Sequence, residues 1–255
     1  MLKYLLYAEQ DYAFAILRPL QRAILARGDE VAWFLAGDEI TSEFLRPEER
    51  VLKRVADVRA WRPDVVLVPG NVVPAFIPGL KVAVFHGFNA RKRSRGTLDS
   101  HFALRGCFDL YCTQGPSTTV PFELLAAKHR YFSVVETGWP KVDPLFWGSP
   151  QRNPNERPVI LLSSTFSSRL TLTPHLYEQV QRLSEMGRWQ WLVTFHPKMS
   201  VEWVEKYRAL ENDHLQFIET DNIIPLLQQA DVMVCDTSSI LQEFLVLEKP
   251  VVTFR

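Results

Sequence analysis

Residues 232–243 read Val-Met-Val-Cys-Asp-Thr-Ser-Ser-Ile-Leu-Gln-Glu, an apolar strand that runs into hydroxyls at the start of a helix. In an open α/β sheet, ligands settle at the carboxyl ends of the strands. The hydroxyls and free backbone N–H groups of Ser238 and Ser239, with Asp236 and Thr237 beside them, would make an anion site suited to a diphosphate. The plainer alternative is N-capping of the helix by Asp236 or a serine. Glu243, about one turn further on, either reaches ribose hydroxyls or is a solvated helix glutamate. Ser163, Ser164 and Thr165 follow another apolar run; they either add hydroxyl donors to the same site or cap the next segment.

Two histidines share one kind of position. His196 ends an apolar run and precedes Pro197 and Lys198, where a proline-stiffened turn would let the ring meet a phosphate. His86 also follows an apolar run, and the glycine after it, Gly87, would let a ligand approach the backbone closely. A lone histidine is more often structural or merely exposed, but the same placement twice favours function. Beside His86 lies a dense basic stretch containing Arg91, Lys92 and Arg93. It either binds phosphates of an acceptor or a lipid headgroup surface, or is a solvated loop.

These groups need a frame, and the hydrophobic pattern supplies one. Strands are expected at 2–8, 31–35, 65–68, 81–85, 110–113 and 131–136, with helices at 13–27, 47–61 and 118–127. Short apolar strands alternating with helices predict a parallel sheet covered on both faces. From 148 to 158 turn formers crowd out apolar residues, which marks a linker. The rhythm then resumes with strands at 159–162, 191–195, 215–218, 232–235 and 251–254, and helices at 174–186, 203–210, 223–229 and 240–247. The expected organisation is two Rossmann-like α/β domains, residues 1–147 and 158–255. The chain stops just after an apolar strand, so C-terminal helices are expected to be missing.

Composition narrows the function. The 255 residues carry 29 basic and 29 acidic side chains, so no global field draws the protein to nucleic acid. Three cysteines without paired spacing read as buried thiols of a reducing, cytoplasmic setting. No carboxylate cluster has metal-ligand spacing, and no metal or cofactor is expected. The Walker loop, the Gly-x-Gly-x-x-Gly fingerprint, the nucleophile elbow and His-Glu-x-x-His are all missing, and the loop after the first strand reads Glu9-Gln-Asp-Tyr12. A nicotinamide dehydrogenase is thereby set aside.

The ordered set His86-Gly87, Gly138-Trp-Pro-Lys-Val-Asp143, His196-Pro197 and Asp236-Thr-Ser-Ser239 with Glu243 resembles the CDP-glycerol glycerophosphotransferase family of teichoic-acid and capsule polymerases. The resemblance implies the glycosyltransferase B architecture, two Rossmann-like domains facing a cleft with the nucleotide held by the second. It implies His86 as catalytic base, His196 near the donor phosphates, Ser238 and Ser239 on the diphosphate, and Asp143 orienting the cleft. Lys141 stands where the family often has arginine, which turns a bidentate contact into a point charge. The implied partners are CDP-glycerol or a related activated donor and a phosphate-bearing or lipid-linked acceptor, reached by peripheral contact with the inner face of the cell membrane. The segment 236–243 with Lys249-Pro250 also resembles UDP-GlcNAc 2-epimerases, so a nucleotide-sugar glycosyltransferase or epimerase-like enzyme is the alternative. A non-catalytic nucleotide or envelope-polymer binding protein is a third possibility.

Overall fold

The computed structural model describes residues 1–87, 102–148, 157–220, 222–238 and 240–254. They form two compact units, Met1–Asp143 and Pro144–Arg255.

The first unit contains strands β1 (Lys3–Gln10), β2 (Glu30–Glu39), β3 (Val65–Val68), β4 (Leu80–Ala83), β5 (Leu110–Thr113) and β6 (Ser133–Glu136). Helices α1 (Tyr12–Ala26), α2 (Val55–Trp61) and α3 (Pro116–His129) lie between them. All pairings are parallel, in the order β2-β1-β3-β4-β5-β6. Successive residues of one strand serve opposite faces, and both faces are covered. Leu5, Tyr7, Val66 and Val68 enter one core, while Leu6, Ala8, Leu67 and Val82 enter another with Phe14, Ile16 and Leu17 of α1. This double burial is why the strands read as continuous apolar runs.

The expected helix over 47–61 is helical only in α2. Upstream, Trp33 N donates to Arg50 O and Leu52 N to Trp33 O, so Val51 lies extended beside β2. Glu49 is buried against Arg18, whose Nε lies 3.0 Å from Oε1, and it also accepts from Arg46 N at 2.9 Å. Strand pairing plus a buried ion pair outweighs helix propensity there.

The second unit contains β7 (Val159–Ser164), β8 (Gln190–Phe195), β9 (Leu215–Phe217), β10 (Val232–Cys235) and β11 (Val251–Thr253). Its helices are α4 (Thr173–Glu185), α5 (Val201–Arg208), α6 (Ile224–Gln229) and α7 (Ile240–Leu245). The sheet is again parallel, ordered β11-β10-β7-β8-β9. Leu162, Trp191, Val193 and Phe217 pack with Leu172, Val180 and Tyr207 on one face.

Strand order fixes where ligands belong, because crevices open at the carboxyl ends of strands where the winding direction reverses. In the first sheet that reversal falls between β1 and β3, and in the second between β7 and β10.

Candidate active site

The histidine of the first unit is aimed by a costly turn. Val84 N still donates to Val68 O at 2.9 Å, continuing the ladder, and then Phe85 adopts φ 54°. The left-handed region is unfavourable for a bulky residue. It is held here by aromatic packing, with ring centroids 5.3 Å from Phe122 and 6.0 Å from Tyr111. The turn leaves His86 exposed, with Nδ1 3.0 Å from the Pro69 carbonyl at the end of β3. A carbonyl only accepts, so Nδ1 carries a proton, and in the neutral ring the lone pair is on Nε2. The Tyr12 ring packs on the imidazole at 5.2 Å between centroids, tilted 34°. Among the described residues, its chain neighbours aside, no atom lies within 4 Å of where a Cβ on Gly87 would stand.

His196 shows the opposite tautomer. Its Nδ1 accepts from Lys198 N at 3.0 Å, and an amide N–H only donates, so the proton of the neutral ring sits on Nε2. Phe166, exposed on the loop after β7, packs on this imidazole at 4.5 Å. His196 is exposed.

At the switch point of the second sheet, Asp236 is a buried hub, 1% exposed. Ser164 Oγ donates to Oδ2 at 2.6 Å, Thr165 N to both oxygens at 3.1 and 3.0 Å, Leu172 N to Oδ2 at 3.2 Å, and Ser238 N to Oδ1 at 3.1 Å. Ser164 also shares a hydrogen bond with Thr171 at 2.7 Å, and Thr171 another with Thr173 at 2.9 Å. Asp236 therefore ties the loop after β7 to the turn before α7. Burial first, and Asp236 second, push the neighbouring Cys235 thiol up to about 11.

The sequence-predicted residues separate by depth. Ser163, Ser164, Asp236 and Glu243 are buried, Ser238 and Thr165 half-buried, and Thr237 exposed. Direct hydrogen bonds join Ser164, Thr165, Asp236 and Ser238. At 2% exposure Glu243 is not the solvated helix glutamate of the plainer reading. Lys141 and Asp143 sit in a 3-10 segment, Pro140–Phe146, with Lys141 Nζ 5.3 Å from the centre of the Trp139 ring. Ser239, Arg91, Lys92 and Arg93 lie outside the described residues.

Sequence reasoning passed over Tyr12, Pro69 and Phe166, although Tyr12 stands in the glycine-free first loop that excluded a dinucleotide fingerprint. Lys249 entered the sequence analysis only through the resemblance of its segment to UDP-GlcNAc 2-epimerases. Lys249 Nζ donates to the carbonyls of Leu227, Gln228 and Ala230 at 3.3, 2.8 and 2.6 Å, at the end of α6. Among the described residues, no group of three or more His, Cys, Asp or Glu side chains is gathered as a metal site. None of the described helices is long and apolar enough to cross a membrane.

Comparison with known proteins adds a family to this geometry. Among solved structures, the Staphylococcus aureus MnaA–UDP complex aligns with 14% identity and a TM-score of 0.63, covering 100% of this chain and 80% of that one. A putative UDP-N-acetylglucosamine 2-epimerase from Listeria monocytogenes gives 14% identity and 0.65, covering 100% and 79%. The wall teichoic acid polymerase TagF gives 12% identity and 0.62, covering 98% and 69%. At these identities the likeness is one of fold, the two-sheet α/β architecture of the glycosyltransferase B type. No curated protein sequence is matched. The model of the family described as CDP-Glycerol:Poly(glycerophosphate) glycerophosphotransferase matches residues 122–255, more than half of the chain, and the protein belongs to that transferase family.

Proposed function

We propose that the protein transfers a glycerol-phosphate unit, or a similar polyol phosphate, from a CDP-activated donor to a hydroxyl of a cell-envelope acceptor. The observation that carries this reading is the opposite tautomers of the two histidines: His86 keeps a lone pair on Nε2, whereas His196 keeps a proton there. One is suited to accept a proton and the other to donate a hydrogen bond to an anion.

In this reading Nε2 of His86 takes the acceptor's hydroxyl proton as that oxygen bonds to the phosphorus bearing the glycerol. The bond from this phosphorus to the bridging oxygen breaks, and CMP leaves with the electron pair. Nε2–H of His196 and the hydroxyls of Thr237 and Ser238 bind the diphosphate oxygens, where negative charge accumulates. Asp236 and Ser164 act behind them by fixing the two loops. The family match supports the reaction class.

The test is CMP release from CDP-glycerol by His86→Ala and His196→Ala proteins whose folding is checked by circular dichroism. A positioned general base contributes about 10²–10⁴-fold and one fixed hydrogen-bond donor about 10²–10³-fold. Losses of that order are expected, and near-normal turnover by folded His86→Ala removes the base from the mechanism. The fold shared with UDP-N-acetylglucosamine 2-epimerases favours one rival substrate class. Consumption of UDP-GlcNAc, with CDP-glycerol ignored, would establish that rival instead.

A further inference from the structure

His86 is exposed, and among the described residues its ring makes one hydrogen bond, from Nδ1 to the Pro69 carbonyl. One such bond fixes the tautomer but leaves the ring free to pivot about the Nδ1···O line. A base whose Nε2 swings would lose the alignment on which proton transfer depends. The second restraint comes from a distant part of the chain. Tyr12 opens α1 after β1, and its ring packs across the face of the imidazole although β3 separates β1 from β4 in the sheet.

We propose that Tyr12 is a positioning residue for His86, its ring fixing the imidazole plane so that Nε2 meets the acceptor hydroxyl in one orientation.

The surroundings of Tyr12 are built to hold it there. Asp11 Oδ1 accepts from Thr41 N at 2.9 Å and Asp11 O from Phe14 N at 3.2 Å, which pins the turn before the helix. Phe14, two residues on, is buried in the core. Glu9, at the end of β1, accepts from Tyr7 Oη at 2.8 Å, and its other oxygen lies 3.2 Å from where a Cβ on Gly70 would stand. Glu9 thus abuts the Pro69-Gly70 turn that supplies the carbonyl for His86. The end of β1 and the turn after it therefore lie beside both restraints, the Pro69 carbonyl at Nδ1 and the Tyr12 ring against the imidazole. Burial, then the charges of Glu9 and Glu39, push the Tyr12 phenol up to about 12. The ring stays neutral across the working range and does not compete with His86 for the proton.

This inference rests on the reading of His86 as the base, so the experiment carries a separate arm for that reading. Full-length Tyr12→Phe, Tyr12→Leu and His86→Ala proteins are compared in CMP release from CDP-glycerol with an oligo(glycerol phosphate) acceptor. The His86 tautomer is followed by ¹⁵N-detected imidazole spectra. Tyr12→Phe keeps the ring and is expected within about twofold of the parent kcat, whereas Tyr12→Leu should lose about five- to tenfold in kcat with KM for CDP-glycerol unchanged. The Nδ1–H signature should persist in both Tyr12 proteins, because the Pro69 carbonyl fixes it, while exchange broadening of the Nε2 resonance, the mark of a pivoting ring, should appear in Tyr12→Leu alone. Parental rates for both Tyr12 proteins would overturn the proposal, as would a Phe protein as slow as the Leu protein, which would assign the effect to the hydroxyl. If His86→Ala turns over normally, the base reading falls by itself, and the spectra still decide whether Tyr12 orders the imidazole.

Discussion

Asp236 offers the sharpest test of how the second unit is organised, because a ligand contact and an internal hub respond differently to the same substitutions. Asp236→Ala removes the acceptor of four groups: Ser164 Oγ, Thr165 N, Leu172 N and Ser238 N. Ser164 retains Thr171, and water can reach the half-buried Thr165 and Ser238 amides. The N–H of the fully buried Leu172 is left without an acceptor, and a buried orphan donor costs about 1–3 kcal/mol. Adding part of the value of the other charge-assisted bonds gives an expected loss of about 3–5 kcal/mol. Asp236→Asn preserves shape and one oxygen for Thr165 and Ser238, yet it turns an amide donor toward Leu172, so about 1–3 kcal/mol is expected. Urea unfolding followed through tryptophan fluorescence measures both, with Trp191 reporting on the second unit. Calorimetric titration of folded Asp236→Asn with CDP supplies the second readout. An unfolding midpoint that does not move in Asp236→Ala refutes the hub. A fall in CDP affinity without any loss of stability would make Asp236 a direct donor contact instead.

Other expectations follow from features of each unit. Glu49→Ala strands the largely buried Arg18 guanidinium, which also donates to the Phe44 carbonyl, and should cost about 3–5 kcal/mol in urea unfolding. Glu49→Gln should be milder. Cys235, whose thiol is pushed up from 9.0 to about 11, should alkylate about 100-fold more slowly with iodoacetamide at pH 8 than an ordinary thiol, since a raised pKa depletes the thiolate below it. Peptide mapping after native labelling reads this out, and rapid labelling of Cys235 would contradict its burial.

The sheets were legible because central strands such as β1, β3 and β7 carry successive buried apolar residues on both faces and so read as apolar runs. The stretch before α2 was not. Its charged and apolar spacing suits a helix, but the Arg18–Glu49 pair and the backbone exchange between Trp33 and residues 50–52 come from segments distant in sequence. At the candidate site the histidines stood out through their places after apolar runs, yet nothing local discloses their tautomers. Those are set by the Pro69 carbonyl in one case and the Lys198 amide in the other. Tyr12 meets His86 only because β1 and β4 flank β3, a consequence of winding order that periodicity does not contain. Asp236 was readable as a polar residue at a strand end, but its depth depends on the loop after β7 folding over it.

The backward turn at Phe85 ties the aim of His86 to the greasy interior. A left-handed aromatic residue costs about 1–3 kcal/mol, and each ring contact that holds it returns about 0.5–1.5 kcal/mol. Those sums nearly cancel, so the bend behaves like a sprung catch. On warming, slackening around Phe122 would release the catch while both sheets are still intact. Heat should therefore silence turnover several degrees before the protein melts, and cooling should restore it.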